Sequence, residues 1–310
     1  MPRPSQYLFV LLAMLALIAI SATAYAEQKN VGVLLSKEIA PYVDMVEGLE
    51  ARLGNVEVQR FFLDAEGRPY SLSGLSNNPV PEQFAAMVAV GPEALRYLQP
   101  QMGSVPLIYG MVLNPLNFYG ENRDAICGVP LNLPVESQLK AIQQHFPSIK
   151  RLGIFYDPKN NQAFYDEASG FAVSMELELI SLQVRRTPAK LDIVGELARP
   201  EALLFIPDRT IISKAVVQHV IKDAYSRRIP VVGYNTFFHD SGAALSFVID
   251  YRELGRQVGA QVLSVLGGGT CPGEMPPNFT AKRNVDAWRV LGLPDGKEAV
   301  DQSEEERDAP

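Results

Sequence analysis

Short β-branched apolar runs alternate with longer amphipathic runs along most of this chain, and the alternation starts over near its middle. Asn30-Val31-Gly32-Val33-Leu34-Leu35 is almost wholly apolar, the pattern of a strand covered on both faces of a parallel sheet. Residues 42–53 then carry helical periodicity, and further strands are predicted over 56–63, 85–90, 105–109 and 125–129. Residues 85–90 enter Gly91-Pro92-Glu93-Ala94. Pro92 suits a first helical position, where a missing N–H costs nothing and φ is already set.

The second series opens with a helix over 135–146. Strands are predicted over 151–156, 177–184, 202–206, 230–234 and 243–249, and helices over 164–175, 189–197, 214–228 and 253–266. Gly267-Gly268-Gly269 stops the last of these. A strand over 278–284 and a short helix over 285–291, bearing the single tryptophan Trp288, complete the pattern. Two successive strand–helix series predict an α/β chain of two doubly wound parallel-sheet lobes. Right-handed crossovers place helices on both faces of each sheet.

The amino-terminal residues carry a different signal. Arg3 is the only charge before Glu27, an apolar run covers 7–20, and Ala24-Tyr25-Ala26 gives a small-x-small cleavage pattern. These are the parts of a secretory signal peptide over 1–26, so an exported, periplasmic protein beginning near Glu27 is expected. An uncleaved anchor is the alternative; the run is short for a span, and the small residues at 22–26 argue against it. The net charge is −7, and losing Arg3 with the signal makes it more negative. Basic residues are scattered, so no nucleic-acid partner is expected. The stretch 301–308 is dense in acid, and residues 294–310 are expected to be a disordered tail.

Catalytic and metal patterns are sparse. The first strand is followed by no G-x-G-x-x-G, and neither a G-x-x-x-x-G-K-[ST] loop nor a G-x-S-x-G elbow occurs. His145, His219 and His239 lie far apart with no ligand spacing to Cys127 or Cys271. No enzyme activity, cofactor or metal is therefore expected. The two cysteines allow a bridge in an oxidising compartment, or stand as two buried thiols.

Open parallel sheets bind ligands beyond the carboxyl ends of their strands. In the first series that edge holds Ser36 and Lys37, Gly91 and Glu93, Tyr109, Gly110 and Met111, and Asn114. In the second it holds Tyr156 and Asp157, Asp208 and Arg209, Tyr234 and Asn235, with Asp250 farther on. Aromatics, carboxylates and amides in this mixture suit a small polar molecule with an apolar part. Asp208 or Glu93 could accept from an amine, while Ser36 and backbone N–H groups could meet a carboxylate. Each has a plainer reading: Ser36 as cap of the helix after the first strand, Asp157-Pro158 as a turn, Tyr109 and Tyr156 as packing.

In their order, these segments resemble the periplasmic substrate-binding proteins of ABC importers, in the branch with tryptophan- and tyrosine-binding members. The resemblance rests on residues 31–36, Val90-Gly91-Pro92-Glu93-Ala94, and 106–115 around Tyr109-Gly110-Met111. It continues through Arg151-Leu152-Gly153-Ile154-Phe155-Tyr156-Asp157, Phe205-Ile206-Pro207-Asp208 and Pro230-Val231-Val232-Gly233-Tyr234-Asn235. It closes with residues 250–257 and Asn284-Val285-Asp286.

The resemblance implies a type I periplasmic-binding-protein fold. Its amino-terminal lobe would take residues 27–128 and 251–276, and its carboxyl-terminal lobe 129–250 and 277–293. Three crossings are implied, near 128–133, 247–251 and 277–282. Cys127 and Cys271 would each lie near a crossing on the first-lobe side, which suits a bridge. The implied function is capture of a small solute, an amino acid or an aromatic one, by a monomer that closes on it and delivers it to a membrane permease. Cys127-Gly128 departs from relatives, which carry threonine before the glycine, so the ligand class stays open. A sensory protein feeding a receptor or kinase is the alternative reading, and an exported hydrolase a more distant one.

Overall fold

The computed structural model describes residues 30–72, 78–119, 126–186, 191–194, 200–208 and 213–294. The expected signal peptide and nearly all of the acidic tail lie outside these. The chain divides into two compact units, one of Met1–Gly128 with Val258–Gly273, the other of Val129–Gln257 with Glu274–Pro310. It therefore passes between units three times.

The first unit is built on β1 (Asn30–Leu35), β2 (Glu57–Leu63), β3 (Pro69–Tyr70), β4 (Ala86–Val90), β5 (Leu107–Val112) and β6 (Ile126–Pro130). Their order is β3-β2-β1-β4-β5-β6. β1 pairs in parallel with β2 and β4, β4 with β5, and the short β3 closes the edge antiparallel to β2. Helices α1 (Ala40–Leu53), α2 (Pro92–Leu98) and the short α3 (Leu116–Tyr119) connect the strands. One face buries Leu34, Met87, Ala89 and Tyr109 with Ala94, Leu95 and Leu98 of α2. Since alternate strand residues face opposite ways, Val33 and Val88 are also fully buried, and so both faces of the sheet are covered.

The second unit holds β7 (Arg151–Tyr156), β8 (Glu178–Arg186), β9 (Leu191–Val194), β10 (Ala202–Phe205), β11 (Val231–Gly233), β12 (Leu245–Val248) and β13 (Thr280–Arg283). Their order is β13-β12-β11-β10-β7-β8-β9, with a parallel interior and antiparallel edge strands β9 and β13. Its helices are α4 (Val135–His145), α5 (Pro158–Ser174), α6 (Lys214–Ser226), α7 (Thr236–Asp240) and α9 (Val285–Leu291), while α8 (Tyr251–Leu266) starts in this unit and passes into the first at Val258. Leu152, Ile154 and Tyr156 pack with α4, α5 and α9, whereas Phe155 on the opposite face packs with α6. The alternation within one six-residue strand thus assigns helices to two layers. Trp288 stacks on Phe146 and gives its indole N–H to Ala244 O at 2.7 Å, so its one polar atom is satisfied in the core.

One expected element is of the wrong kind. Residues 189–197 were expected to be helical, but Leu191–Val194 forms strand β9, paired antiparallel to β8 from Gln183↔Val194 to Arg186↔Leu191. β8 runs two residues beyond its expected end and offers a ladder, and Ile193 and Val194 are β-branched. A helix this short gains little by itself, so the neighbouring strand wins. Another difference lies in α5, which begins at Pro158 rather than 164. Asp157 caps it, Pro158 occupies N1, and Asn161 breaks the helical dihedrals at φ −135° and ψ 22°.

Candidate functional sites at the carboxyl edges of the sheets

At the carboxyl edge of the first sheet, Ser36 follows β1 and its N–H reaches Val90 O at 2.9 Å. Its buried hydroxyl oxygen accepts the Ala94 N–H at 2.8 Å. Ser36 therefore serves the first turn of α2, after β4, rather than the helix that follows β1. Gly91 has φ 89°, and its N–H donates to Gly110 O at 2.9 Å. A Cβ there would stand 2.7 Å from both Ser36 Oγ and Tyr42 Oη, so only glycine fits. Tyr42, from the first turn of α1, thereby joins Ser36 and Gly91. Sequence reasoning missed it, although its place in the first helical turn beyond a strand end was legible.

Glu93 and Lys37 are exposed beside this group. Met111 and Asn114 hold left-handed backbones at φ 59° and 50°. For residues other than glycine this is uncommon, and it re-aims the chain as it leaves β5. Tyr109 does not belong to the edge. It lies in mid-strand, wholly buried in the core, with its ring and carbonyl against Gly128. A side chain without solvent-facing surface is core packing, and this corrects its reading as a surface for stacking a solute.

Cys127 and Cys271 form a disulfide with Cα atoms 5.6 Å apart. Gln261 of α8 reaches Gly128 O at 3.4 Å and Gly273 O at 3.2 Å, so the same neighbourhood is also held by an amide.

The carboxyl edge of the second sheet centres on Asp208, which is 4% exposed. Its Oδ2 accepts the Asp157 N–H at 2.7 Å and the Asn161 side-chain N–H at 2.7 Å. Asn161 also donates to Pro207 O at 3.3 Å. The break in α5 at Asn161 accompanies that reach across to the end of β10, a role no local pattern marked. Asp157 itself caps α5, taking the Lys159 N–H at 3.0 Å on Oδ1. Burial, followed by the nearby Asp208 charge, pushes the Tyr234 hydroxyl above its ordinary pKa. Tyr234 thus stays neutral, a donor or acceptor beside a carboxylate.

Three other candidates have structural employment. Tyr156 is buried, stacked on Tyr165 at 4.7 Å, with its hydroxyl 3.0 Å from Ser181 Oγ; this corrects its reading as a ligand platform. Asn235 caps α7 through the Phe238 N–H at 3.3 Å. Asp250 caps α8 through the N–H groups of Arg252 and Glu253 at 2.8 and 3.2 Å. Arg209 lies outside the described residues.

Ser36, Tyr42 and Gly91 therefore meet in one unit, and Asp157, Asn161, Asp208 and Tyr234 in the other. Hydroxyls, an amide and a buried carboxylate form a hydrogen-bonding chemistry of recognition. Among the described residues there is no group of three or more His, Cys, Asp or Glu placed to hold a metal ion. Among them, too, no helix is long and apolar enough to cross a membrane.

Comparison with solved structures finds the same fold at low identity. A ligand-free, open substrate binding protein with adhesive properties from Clostridium difficile has a TM-score of 0.67 and 14% identity, covering 87% of this chain and 97% of that one. The ABC domain in complex with L-Trp from Streptococcus pneumonia has a TM-score of 0.56 and 19% identity, covering 86% and 96%. A sugar-binding protein of a sugar ABC transporter from Bacillus halodurans has a TM-score of 0.57 and 9% identity, covering 85% and 99%. A search of curated proteins finds no match. A family model described as ABC transporter substrate binding protein matches residues 44–285. Two α/β units with this edge chemistry, and a match over most of the length, lead to one conclusion: the chain belongs to the ABC transporter substrate binding protein family.

Proposed function

We propose that the protein captures a small solute bearing a protonated amine at the carboxyl edges of its sheets and delivers it to a membrane permease outside the cytoplasm. Family membership implies a small-molecule ligand and a permease partner. The observation that carries the amine is Asp208, a buried carboxylate at a strand end, held by the Asp157 N–H and Asn161. A buried carboxylate set at a strand end suits a cationic group, and charge-assisted hydrogen bonds supply its affinity. Tyr234 beside it adds an apolar ring with a neutral hydroxyl.

The tryptophan complex of the Streptococcus pneumonia neighbour supports testing aromatic amino acids first. Capture shifts an equilibrium between conformations by no more than the ligand's differential affinity for them. Isothermal titration with a panel of amino acids, read together with small-angle scattering, tests the reading. Micromolar binding of one member, abolished by Asp208→Asn and accompanied by compaction, is expected. Binding of neutral sugars alone, unaffected by Asp208→Asn, would retire the amine.

A further inference from the structure

The chain passes between its units after Gly128, after Gln257 and after Gly273. Cys127 and Cys271 stand just ahead of the first and third passages, so the disulfide joins those two within the first unit. The second passage lies inside α8, which sets Glu253, Gln257 and Gln261 four residues apart on one face. Ahead of the passage, Gln257 donates to Pro276 O and accepts the Asn278 N–H, both at 3.1 Å, and Asn278 Nδ2 donates to Glu253 Oε1 at 3.4 Å. Beyond it, Gln261 Nε2 donates to Gly273 O at 3.2 Å and Gly128 O at 3.4 Å. One stripe of α8 thus holds the returning chain on both sides of the third passage.

The two sides are held unequally. In the second unit the returning chain runs on into β13, which pairs with β12 from Val248↔Thr280 to Leu245↔Arg283. In the first unit it arrives from Gly267-Gly268-Gly269-Thr270, an exposed run outside helix and strand. Gly268 and Gly273 hold φ 84° and 87°. Glycine has the widest backbone freedom, so such a run transmits little stiffness from the end of α8. The Gly128 N–H reaches Gly273 O at 3.4 Å, and this bond, like those from Gln261, is longer than the usual ~2.9–3.0 Å. The covalent bridge is therefore the firm tie between this segment and β6. It is also open to exchange from one side: Cys127 is 1% exposed, whereas Cys271 is partly exposed. Thiol–disulfide exchange needs access to the sulfur attacked, so an external thiol meets Cys271 first.

We infer that the Cys127–Cys271 bridge is a redox-operated clamp on the third passage. Oxidised, it pins residues 271–273 beside β6; reduced, it leaves them on a slack glycine-rich lead. In the reducing direction, one thiolate of a dithiol attacks Cys271 Sγ, the S–S bond breaks, and Cys127 leaves with the electron pair and takes up a proton. The second thiol of the reductant loses its proton and attacks the reductant's own sulfur in the mixed disulfide. Cys271 leaves and is protonated, and the dithiol departs as a cyclic disulfide, two electrons having passed to the bridge. A disulfide of the same class reverses the steps. The clamp concerns the passage itself and does not rest on the chemistry of the captured solute.

The test treats the whole folded protein with millimolar dithiothreitol, without denaturant, and follows amide hydrogen exchange by mass spectrometry at short labelling times. Reduction with unchanged far-UV circular dichroism is expected. Peptides covering 126–130 and 267–276 should then exchange at least about tenfold faster, while those covering β1 and β10 stay protected. Oxidised dithiothreitol should restore slow exchange. Gln261→Leu, kept oxidised, should speed exchange less than reduction does. In Cys127→Ser the remaining Cys271 should react with an aromatic disulfide reagent at least about tenfold faster than Cys127 does in Cys271→Ser. A bridge that resists the dithiol until the protein unfolds would overturn the inference. So would exchange unchanged by reduction or raised across the whole first unit, an equal effect of Gln261→Leu, or Cys127 as the faster thiol.

Discussion

Asp208 Oδ2 receives the backbone N–H of Asp157 at 2.7 Å, joining the ends of β10 and β7 through a side chain where the ladder has run out. Asn161 completes the link from the broken first turns of α5. The carboxylate is thus both a fastening within the second unit and the proposed anchor for an amine.

Asp208→Ala removes the acceptor and leaves a buried amide N–H without its partner, which is expected to cost about 1–3 kcal/mol of stability. Asp208→Asn keeps an oxygen for the Asp157 N–H and should cost less, while still losing the charge that a cationic solute needs. Urea unfolding of the two variants separates the structural share from the binding share, since only binding should suffer equally in both.

Gly91→Ala is expected to be destabilising by about 1–3 kcal/mol, since the new methyl meets Ser36 Oγ and Tyr42 Oη while φ is held at 89°. The displacement should also weaken solute binding more than the loss of stability explains. Thermal unfolding alongside titration measures both.

The Cys127–Cys271 bridge spans a sequence separation of 144. Closing so long a loop restricts the unfolded chain, and the expected contribution is about 4–5 kcal/mol in the chain-entropy account. Cys127→Ser with Cys271→Ser should therefore lower the denaturation midpoint substantially. Adding reductant should destabilise the parent protein and leave the double variant unaffected.

His239 gives a pH dependence. Burial first, then the Lys282 charge, hold its pKa below the ordinary value, with Asp240 opposing. Its Nδ1 is buried without a hydrogen-bond partner. The unfolded chain therefore binds the proton more readily than the folded one. The contribution of His239 is present in full above about pH 6.5 and is lost as pH falls toward the lower folded value. His239→Gln should flatten the fall in unfolding free energy between neutral pH and pH 5.5, measured against the parent in the same buffers.

Most of the strands and the longer helices were legible along the chain, because apolar period and capping residues act within a turn or a strand length. Asn284 shows this: it caps, through its own neighbourhood, the helix expected over 285–291, whereas Asp157-Pro158 read as a turn proves to be the start of α5. Tertiary structure decided what local patterns could not. Leu191–Val194 became a strand because β8 offered it a ladder. Tyr109 and Tyr156 went to the core, while Tyr42 came to the edge beside Gly91. Asp208 found Asn161 and the Asp157 N–H because the sheet order sets β10 against β7, past the intervening β8 and β9. Strand order is fixed by which apolar faces and ladders satisfy each other across the whole unit, so neighbours about fifty residues apart carry no mark of one another in their own short segments.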